Sequence, residues 1–420
     1  MTKILLVGNG GREHALALKL SQSHRFGELL VAPGNPGTAE IGRNVPVGAD
    51  DVDGLVALAR DERVDLVVVG PEVPLAGGLA DRLHDTGIAC FGPTRAAAAI
   101  ESSKALAKSL MAEAGIPAAR SSVFPSGEAA LRFLDGEDWS SWRVVKADGL
   151  HAGKGVVVAE SEAELRAAVA RLGADEQLVL EEPLDGEEIS LLAFSDGRRV
   201  AVMPPAQDHK RIGDGDRGPN TGGMGTYTPV ASAADRVEEL AKAVVEPAIA
   251  TLAARGTPFT GVLFAGLMLT SAGPRVLEYN ARWGDPEAQA LLPLLDTDLI
   301  EIMEDCIAGR LRPETVRWRA GAALGVVLAA AGYPGTPRRG DPISLPAVDD
   351  GVYLFHAGTA LLDGELVTAG GRVLTVVGEG PSLEVAREHA YAYADRIHFA
   401  GKQMRRDIGW RSLGAASQRG

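Results

Sequence analysis

The sequence runs to 420 residues, 46% hydrophobic, with a formal charge of −14, long enough for roughly two to four domains each with its own core. Its two cysteines, its eight histidines without metal-ligand spacing and its acidic balance speak against a disulfide scaffold, a zinc site, and a general nucleic-acid or anionic-membrane surface. No run of about 18 apolar residues occurs, and Met1-Thr2-Lys3 leads straight into a strand pattern, so a cytoplasmic protein in a reducing compartment is expected.

Lys3 to Val7 reads as an apolar strand that breaks at Gly8-Asn9-Gly10-Gly11 into a helical pattern from Arg12 to Leu20. A dinucleotide fingerprint would require glycine at Glu13 and an acidic residue after the second strand. Leu29 to Ala32 ends instead in Pro33-Gly34-Asn35-Pro36-Gly37, so NAD is not expected. A strand-glycine-helix junction still favours an anion through its backbone N–H groups and the helix dipole. Strand patterns at Leu66 to Val69 and Ile88 to Phe91 end in Gly70-Pro71-Glu72 and Gly92-Pro93-Thr94, with helix-like segments between. This alternation predicts a parallel sheet with its ligand loops on one rim. One helix is predicted from Arg95 to Ala114, stopping at Gly115-Ile116-Pro117, with Lys104 and Lys108 one turn apart on a solvated face.

Val144 to Val158 places β-branched runs on either side of a loop carrying Gly149, Gly153 and Gly155, with Lys146 and Lys154. Valines follow the Gly-Lys pair, so this is not a P-loop, yet close backbone approach and point positive charge suit a phosphate. Ser161 to Glu164 is a capping box opening a helix that ends at Gly173. Gln177 to Leu180 is a buried-type strand running into Glu181-Glu182-Pro183-Leu184, and a hairpin turns at Asp196-Gly197. Ala206 to Tyr227 lacks periodicity and is rich in glycine and in charges of both signs, which predicts a functional loop that wraps a charged ligand and moves. After a helix at about 234–254 come strands at Gly261 to Thr270 and Pro274 to Asn280. Strand alternation turns Glu278, Asn280 and, if the strand continues, Arg282 the same way. Two hard oxygen ligands beside an arginine suit Mg²⁺ with substrate phosphates. Strands at Gly325 to Ala329, Val352 to His356 and Arg372 to Val377 and a helix from Ser382 predict a small α+β domain, with a frayed tail from Arg411.

Lys146, the Gly-Lys-Gly loop, Glu181 and the Glu278-x-Asn280-x-Arg282 strand occur in the order that resembles the ATP-grasp superfamily. Five longer stretches narrow the resemblance to its phosphoribosylamine-glycine ligases: Gly8 to Leu16, Gly92-Pro93-Thr94 with Glu101-Ser102-Ser103-Lys104, Gln207 to Arg211, Gly218 to Gly225, and Arg282 to Gln289. It runs from the first strand through Arg411. What it implies is an α/β and α+β multidomain protein: an N-terminal parallel-sheet domain over 1–101, a two-lobed ATP-grasp domain over 102–315 with a mobile lobe at about 123–200, and a small α+β C-terminal domain over 321–420. The reaction would join glycine to 5-phosphoribosylamine in purine synthesis, with ATP as phosphoryl donor and a glycyl phosphate intermediate.

Carried over residue by residue, the resemblance makes Lys104, Lys146, Gly153, Lys154 and Gly155 nucleotide ligands near the phosphates. Glu181, Glu182 and the backbone at Pro183 and Leu184 would hold adenine, and Glu188 the ribose. Glu278 and Asn280 would hold Mg²⁺ or Mn²⁺, and Arg282, with Lys146, would serve the chemistry. Gly10, Gly11, Asp208, Lys210, Asn220, Thr221, Gly222, Asp285 and Glu287 would grip the substrates. A monomer acting on small molecules is expected, without nucleic acid or membrane. The sequence departs from the family at His151, Pro183 and Trp283, where alanine, phenylalanine and leucine or phenylalanine are usual. His151 would either bond a phosphate oxygen or face solvent. The rival ATP-grasp carboxylases and peptide-forming ligases would share Lys146 and Glu278 but not the Asp208 to Gly225 pattern.

Overall fold

The computed structural model describes residues 1–151, 155–174 and 176–417, with backbone alone for 415–417. Strands β1 (Thr2–Gly8), β2 (Phe26–Pro33), β3 (Arg43–Asn44), β4 (Leu66–Val69) and β5 (Ala89–Phe91) form a parallel sheet in the order β3-β2-β1-β4-β5. Ile4, Leu5, Leu6 and Val7 are buried on both faces of it, which is why these strands read as continuous apolar runs. The strand order reverses between β1 and β4, the crevice where such sheets bind ligands. Helix α1 (Gly11–Ser21) begins at that crevice, opposite the Gly70-Pro71-Glu72 turn after β4, and the predicted rim of loops is present.

The helix predicted from Arg95 to Ala114 is two, α2 (Arg95–Ser102) and α3 (Lys104–Glu113). Ser103 between them is extended, and its Oγ accepts the Leu106 N–H at 3.1 Å, capping α3. A small lobe follows, with β6 (Ser121–Phe124), β7 (Val144–Ala147), β8 (Val156–Val158) and β9 (Leu178–Glu181) in the antiparallel order β6-β9-β7-β8. Its core is separate from the other two, built from residues such as Trp142, Val145, Leu165, Val169 and Leu180. Helix α4 (Glu162–Leu172) has the predicted Ser161 cap, but the Glu164 carboxylate takes the Glu160 N–H rather than that of Ser161.

The next strands are β10 (Glu187–Asp196), β11 (Val200–Val202), β12 (Gln207–Asp208), β13 (Arg211–Gly213), β14 (Arg217–Asn220), β15 (Gly225–Thr228), β16 (Thr260–Thr270) and β17 (Gly273–Asn280). β11-β10-β16-β17 make a second antiparallel sheet. The predicted wrapping loop is therefore not loose: β13 and β14 form a hairpin, and β12 and β15 pair with each other. The single helix predicted before β16 is segmented, with a π-helical stretch at Ala241–Val245 ahead of α5 (Glu246–Ala254). Helix α6 (Glu287–Leu294) follows β17.

In the C-terminal region β18 (Ala322–Ala329), β19 (Val352–His356), the hairpin of β20 (Thr359–Leu362) with β21 (Glu365–Thr368), and β22 (Arg372–Gly380) lead to α7 (Leu383–Arg396) and α8 (Trp410–Ser417). One antiparallel sheet runs β12-β15-β18-β22-β19, so the middle of the chain supplies two of its strands. The tail predicted to fray is helical through Ser417: Ser412 is buried, and Arg411 pairs with Asp216. Among the described residues no helix is long and apolar enough to cross a membrane.

Candidate functional site

The small lobe meets the rest of the molecule through polar groups. Lys146, pointing off β7, donates to the Leu277 carbonyl at 2.8 Å and lies 3.1 Å from Glu181 Oε1. Lys108 of α3 reaches the same oxygen at 3.0 Å, so two lysines share one carboxylate that is 2% exposed. Lys108 is thus a buried ion-pair partner and not part of a solvated face. Burial, with the Lys146 charge beside it, pushes its pKa down, and Glu181 opposes this. Glu181, expected at the adenine, is engaged by these cations, and Glu182 accepts the Arg120 N–H at 2.8 Å. Leu184 stays partly open at the lobe edge.

Lys104 donates to the Gly149 carbonyl at 2.8 Å, which ties the start of α3 to the glycine-rich loop. Burial lowers its pKa, with Glu278 working against the shift. Gly153 and Lys154 lie outside the described residues. Gly155 leaves room for His151, whose ring a Cβ there would meet at 2.8 Å. His151 is no bystander, since its Nε2 lies 2.9 Å from Glu176 Oε2 and 3.0 Å from the Asp148 carbonyl.

Glu278 and Asn280 close β17. The strand is bulged at Leu277: Gly266 pairs with Glu278 and Leu267 with Val276. The bulge lies before Glu278, and from Glu278 to Asn280 the register is regular, with Tyr279 between them buried. Burial alone would raise the Glu278 pKa, but Lys210, Lys146, Lys104 and Arg282 together hold it below the usual carboxylate range. Its side chain is 37% exposed, so an ionised oxygen faces the cleft. Among the described residues no cluster of three or more His, Cys, Asp or Glu could hold a metal ion. Glu278 and Asn280 still fit a hard cation whose remaining ligands are substrate oxygens and water.

Arg282 lies past the end of β17, where Nε is 3.2 Å from Glu72, Nη2 is 3.2 Å from Glu101, and Nη1 donates to the Trp283 carbonyl at 3.1 Å. Those carboxylates raise its pKa against burial. Trp283 is buried, its ring edge-on to Phe194 with centroids 5.4 Å apart, so its larger ring fills core and leaves the site alone. Lys210 bonds the Glu188 carboxylate and lies 4.0 Å from Glu278, so the residue expected at the ribose is tied to one expected at the substrate.

On the substrate side the Gly10 N–H is taken by Glu13 Oε2 at 2.6 Å. A Cβ on Gly8 or Gly70 would strike the same side chain. Glu13 thus fills the place a dinucleotide fingerprint keeps for glycine and brings its own anion to the α1 N-terminus. A Cβ on Gly11 would come 2.7 Å from Gln289 Nε2, which itself donates to Asp285 Oδ1 at 2.8 Å. Arg372, from β22, donates to the carbonyls of Gly222 and Asp285 and lies 3.1 Å from Asp285 Oδ2. Tyr333 accepts the Gly222 N–H at 2.8 Å, and Thr221 caps the Lys210 carbonyl through its hydroxyl and its N–H. Asn220 is exposed on β14, away from this cluster of bonds. Asp208 and Glu287 are both raised by burial, Asp208 also by the nearby Glu287 charge. Ser190 donates to Glu287 at 2.8 Å, whereas among the described residues Asp208 Oδ1 finds no hydrogen-bond partner.

The structure therefore brings together most of the expected residues and adds Glu13, Glu72, Glu101, Lys108, Tyr333, Gln289 and Arg372. Glu72 stood in a turn that the sequence already marks, and Glu101 in one of the stretches that carry the resemblance. Arg372 carried no signal, because its strand reaches the site only through the C-terminal sheet.

Models of the phosphoribosylglycinamide synthetase family match in three parts: the N domain over residues 2–101, the ATP-grasp (A) domain over 102–288 and the C domain over 323–411. A phosphoribosylamine-glycine ligase of Xanthomonas axonopodis pv. citri is 48% identical over 429 residues, covering 99% of each chain. The trifunctional purine biosynthetic protein adenosine-3 of Gallus gallus is 46% identical over 429 residues, which span 99% of this chain and 43% of that protein. The crystal structure of a phosphoribosylamine-glycine ligase from Thermotoga maritima superposes with a TM-score of 0.85 at 34% identity, covering 96% of this chain and 99% of that one. The chain belongs to the phosphoribosylglycinamide synthetase family and is an ATP-grasp ligase.

Proposed function

We propose that this chain joins glycine to 5-phosphoribosylamine in purine biosynthesis, converting ATP to ADP and phosphate by way of glycyl phosphate. The observation that carries the reading is the convergence of Lys104, Lys146, Lys210 and Arg282 on the ionised Glu278, beside the switch-point crevice of the N-terminal sheet. These cations set positive charge where a polyphosphate and an acyl phosphate would lie, while Lys146, Lys210 and Arg282 are each held in place by a further carboxylate.

Glycine's carboxylate is a poor electrophile until one oxygen becomes a phosphate leaving group. Lys104 and Lys146 set positive charge against the phosphates of ATP from opposite sides of the lobe junction, and Lys154 is assigned the same task. Glu181, Glu182 and Leu184 line the base side and Glu188 the ribose. Glu278 and Asn280 would hold Mg²⁺ or Mn²⁺, which when bound neutralises phosphate charge during the transfer. Arg282 meets the charge that builds on the acyl phosphate, and its fixed guanidinium does so with little reorganisation. Phosphoribosylamine lies between the Gly10-Gly11 turn and the Thr221-Gly222 backbone, with Asp285 and Lys210 at its edge. Asp208, whose pKa burial and the nearby Glu287 charge raise, is assigned to the amine side of this site.

Phosphate release from ATP with Mg²⁺ tests the reading, with phosphoribosylamine formed in the cuvette from ribose 5-phosphate and ammonia. Release should require both glycine and the ribosylamine. Release supported by alanine, serine or bicarbonate would redirect the Asp208 to Gly225 segment to another substrate.

A further inference from the structure

Arg282 does not stand free in the cleft. A guanidinium offers five N–H donors, and here Nε faces Glu72 at 3.2 Å, Nη2 faces Glu101 at 3.2 Å and Nη1 meets the Trp283 carbonyl at 3.1 Å. Three directions are taken, so the plane of the group is fixed while one donor on each terminal nitrogen remains. Its two carboxylate partners come from separate places in the chain. Glu101 lies in the last turn of α2 and is buried; its other oxygen accepts the Ala281 N–H at 2.7 Å, so it fixes both the guanidinium and the backbone just before it. Glu72, like Glu101, falls within the N-terminal domain, and is the first residue of the short helix after β4 at the switch-point crevice. From the facing turn of the same crevice, Arg12 donates to the Trp283 carbonyl at 3.1 Å, the very acceptor that Arg282 uses.

We propose that Glu72 and Glu101 are positioning residues that hold the Arg282 guanidinium in one orientation, and that Glu72 makes this orientation depend on the N-terminal domain where phosphoribosylamine is gripped. The proposal rests on the role given to Arg282 above. Both acids stand outside the set that would touch ATP, metal or substrate, and a carboxylate beside a cation offsets its charge. Their contribution is therefore geometric, because neutralising a cation would by itself weaken its pull on a developing anion. Removing the acceptor should hurt, and removing only the charge should hurt far less.

The test compares Glu72→Ala with the near-isosteric Glu72→Gln, each alone and combined with Arg282→Lys. Glu72→Ala should lower kcat about tenfold to a hundredfold, the scale of a slightly misplaced catalytic group, with KM for ATP and glycine moving less than about twofold. Glu72→Gln, which keeps an acceptor for Nε, should retain most of the turnover. In the Arg282→Lys background, where the fork is gone, Glu72→Ala should add no further loss. Unchanged kcat in Glu72→Ala, or the same loss with and without the Arg282 fork, overturns the proposal. Full turnover in Arg282→Ala would instead remove the role of Arg282 itself, an outcome distinct from a slow Arg282→Ala beside an active Glu72→Ala.

Discussion

A charge kept from water needs a partner, and the buried charges here show what each found. Lys108 and Lys146 share Glu181, so Glu181→Ala would leave two cations facing each other at the lobe junction. That change should cost about 3 kcal/mol, read by urea denaturation at neutral pH. Arg282→Ala should leave nucleotide binding nearly intact yet slow turnover by orders of magnitude, ~3 kcal/mol or more of lost transition-state stabilisation; unchanged turnover would exclude it from the chemistry. His14 is the opposite case, a buried ring kept neutral. Its Nδ1 accepts the His356 N–H at 2.9 Å, and burial, with His356 nearby, lowers its pKa from 6.5 to about 3. The unfolded chain binds this proton more readily, so the contribution is full above about pH 6.5 and falls as the pH drops towards 3. Stability should decline by about 2 kcal/mol between pH 7 and 5 from this residue alone, and His14→Gln should flatten that part of the profile. None of this was legible for Lys108, since a lysine one turn from Lys104 looks like any surface pair until β9 is placed against α3.

Strands with continuous apolar runs, such as β1 and β4, declared themselves in the sequence because their pattern is local. The Ala206 to Tyr227 stretch did not, because a main partner is far along the chain: Gly225 to Thr228 pair with Ala323 to Val326 on one side as well as with β12 on the other. The same segment shows why its glycines matter. Gly223 has φ +108, and a Cβ there would sit 2.5 Å from Pro286 and 2.7 Å from Asp208. Gly223→Ala should therefore disturb Asp208 and the backbone beside it, costing about 1–2 kcal/mol in strain and raising KM for the amine more than for ATP. At the α2–α3 break, Ser103 both caps α3 and donates to Asp148 at 3.2 Å. Loss of the cap in Ser103→Ala should cost about 1 kcal/mol of stability in thermal denaturation. Broken helices of this kind escape a periodicity argument, since Ala-rich sequence supports either one helix or two.

Across the whole molecule, the small lobe has a core of its own and is joined at its cleft face by contacts from Lys146, Lys104, Asp148 and Glu181. The groups proposed to hold ATP are thus the ones that hold the lobe, and nucleotide would exchange one set of partners for another. We expect ATP with Mg²⁺ to raise the thermal midpoint, with NAD leaving it unmoved; at 100 times the dissociation constant the gain is about 2.7 kcal/mol. The family resemblance was legible along nearly the full chain because its motifs are contiguous. The interleaving of the regions was not, because no local pattern records that β12 and β15 complete a sheet with β18, β22 and β19. That interleaving makes the order of synthesis matter. As the chain leaves the ribosome, β12 and β15 emerge long before β18, so the β15 edge that β18 covers must wait open. A fragment ending before β18 should be prone to aggregate, and mixing it with the separately made remainder should restore a soluble whole.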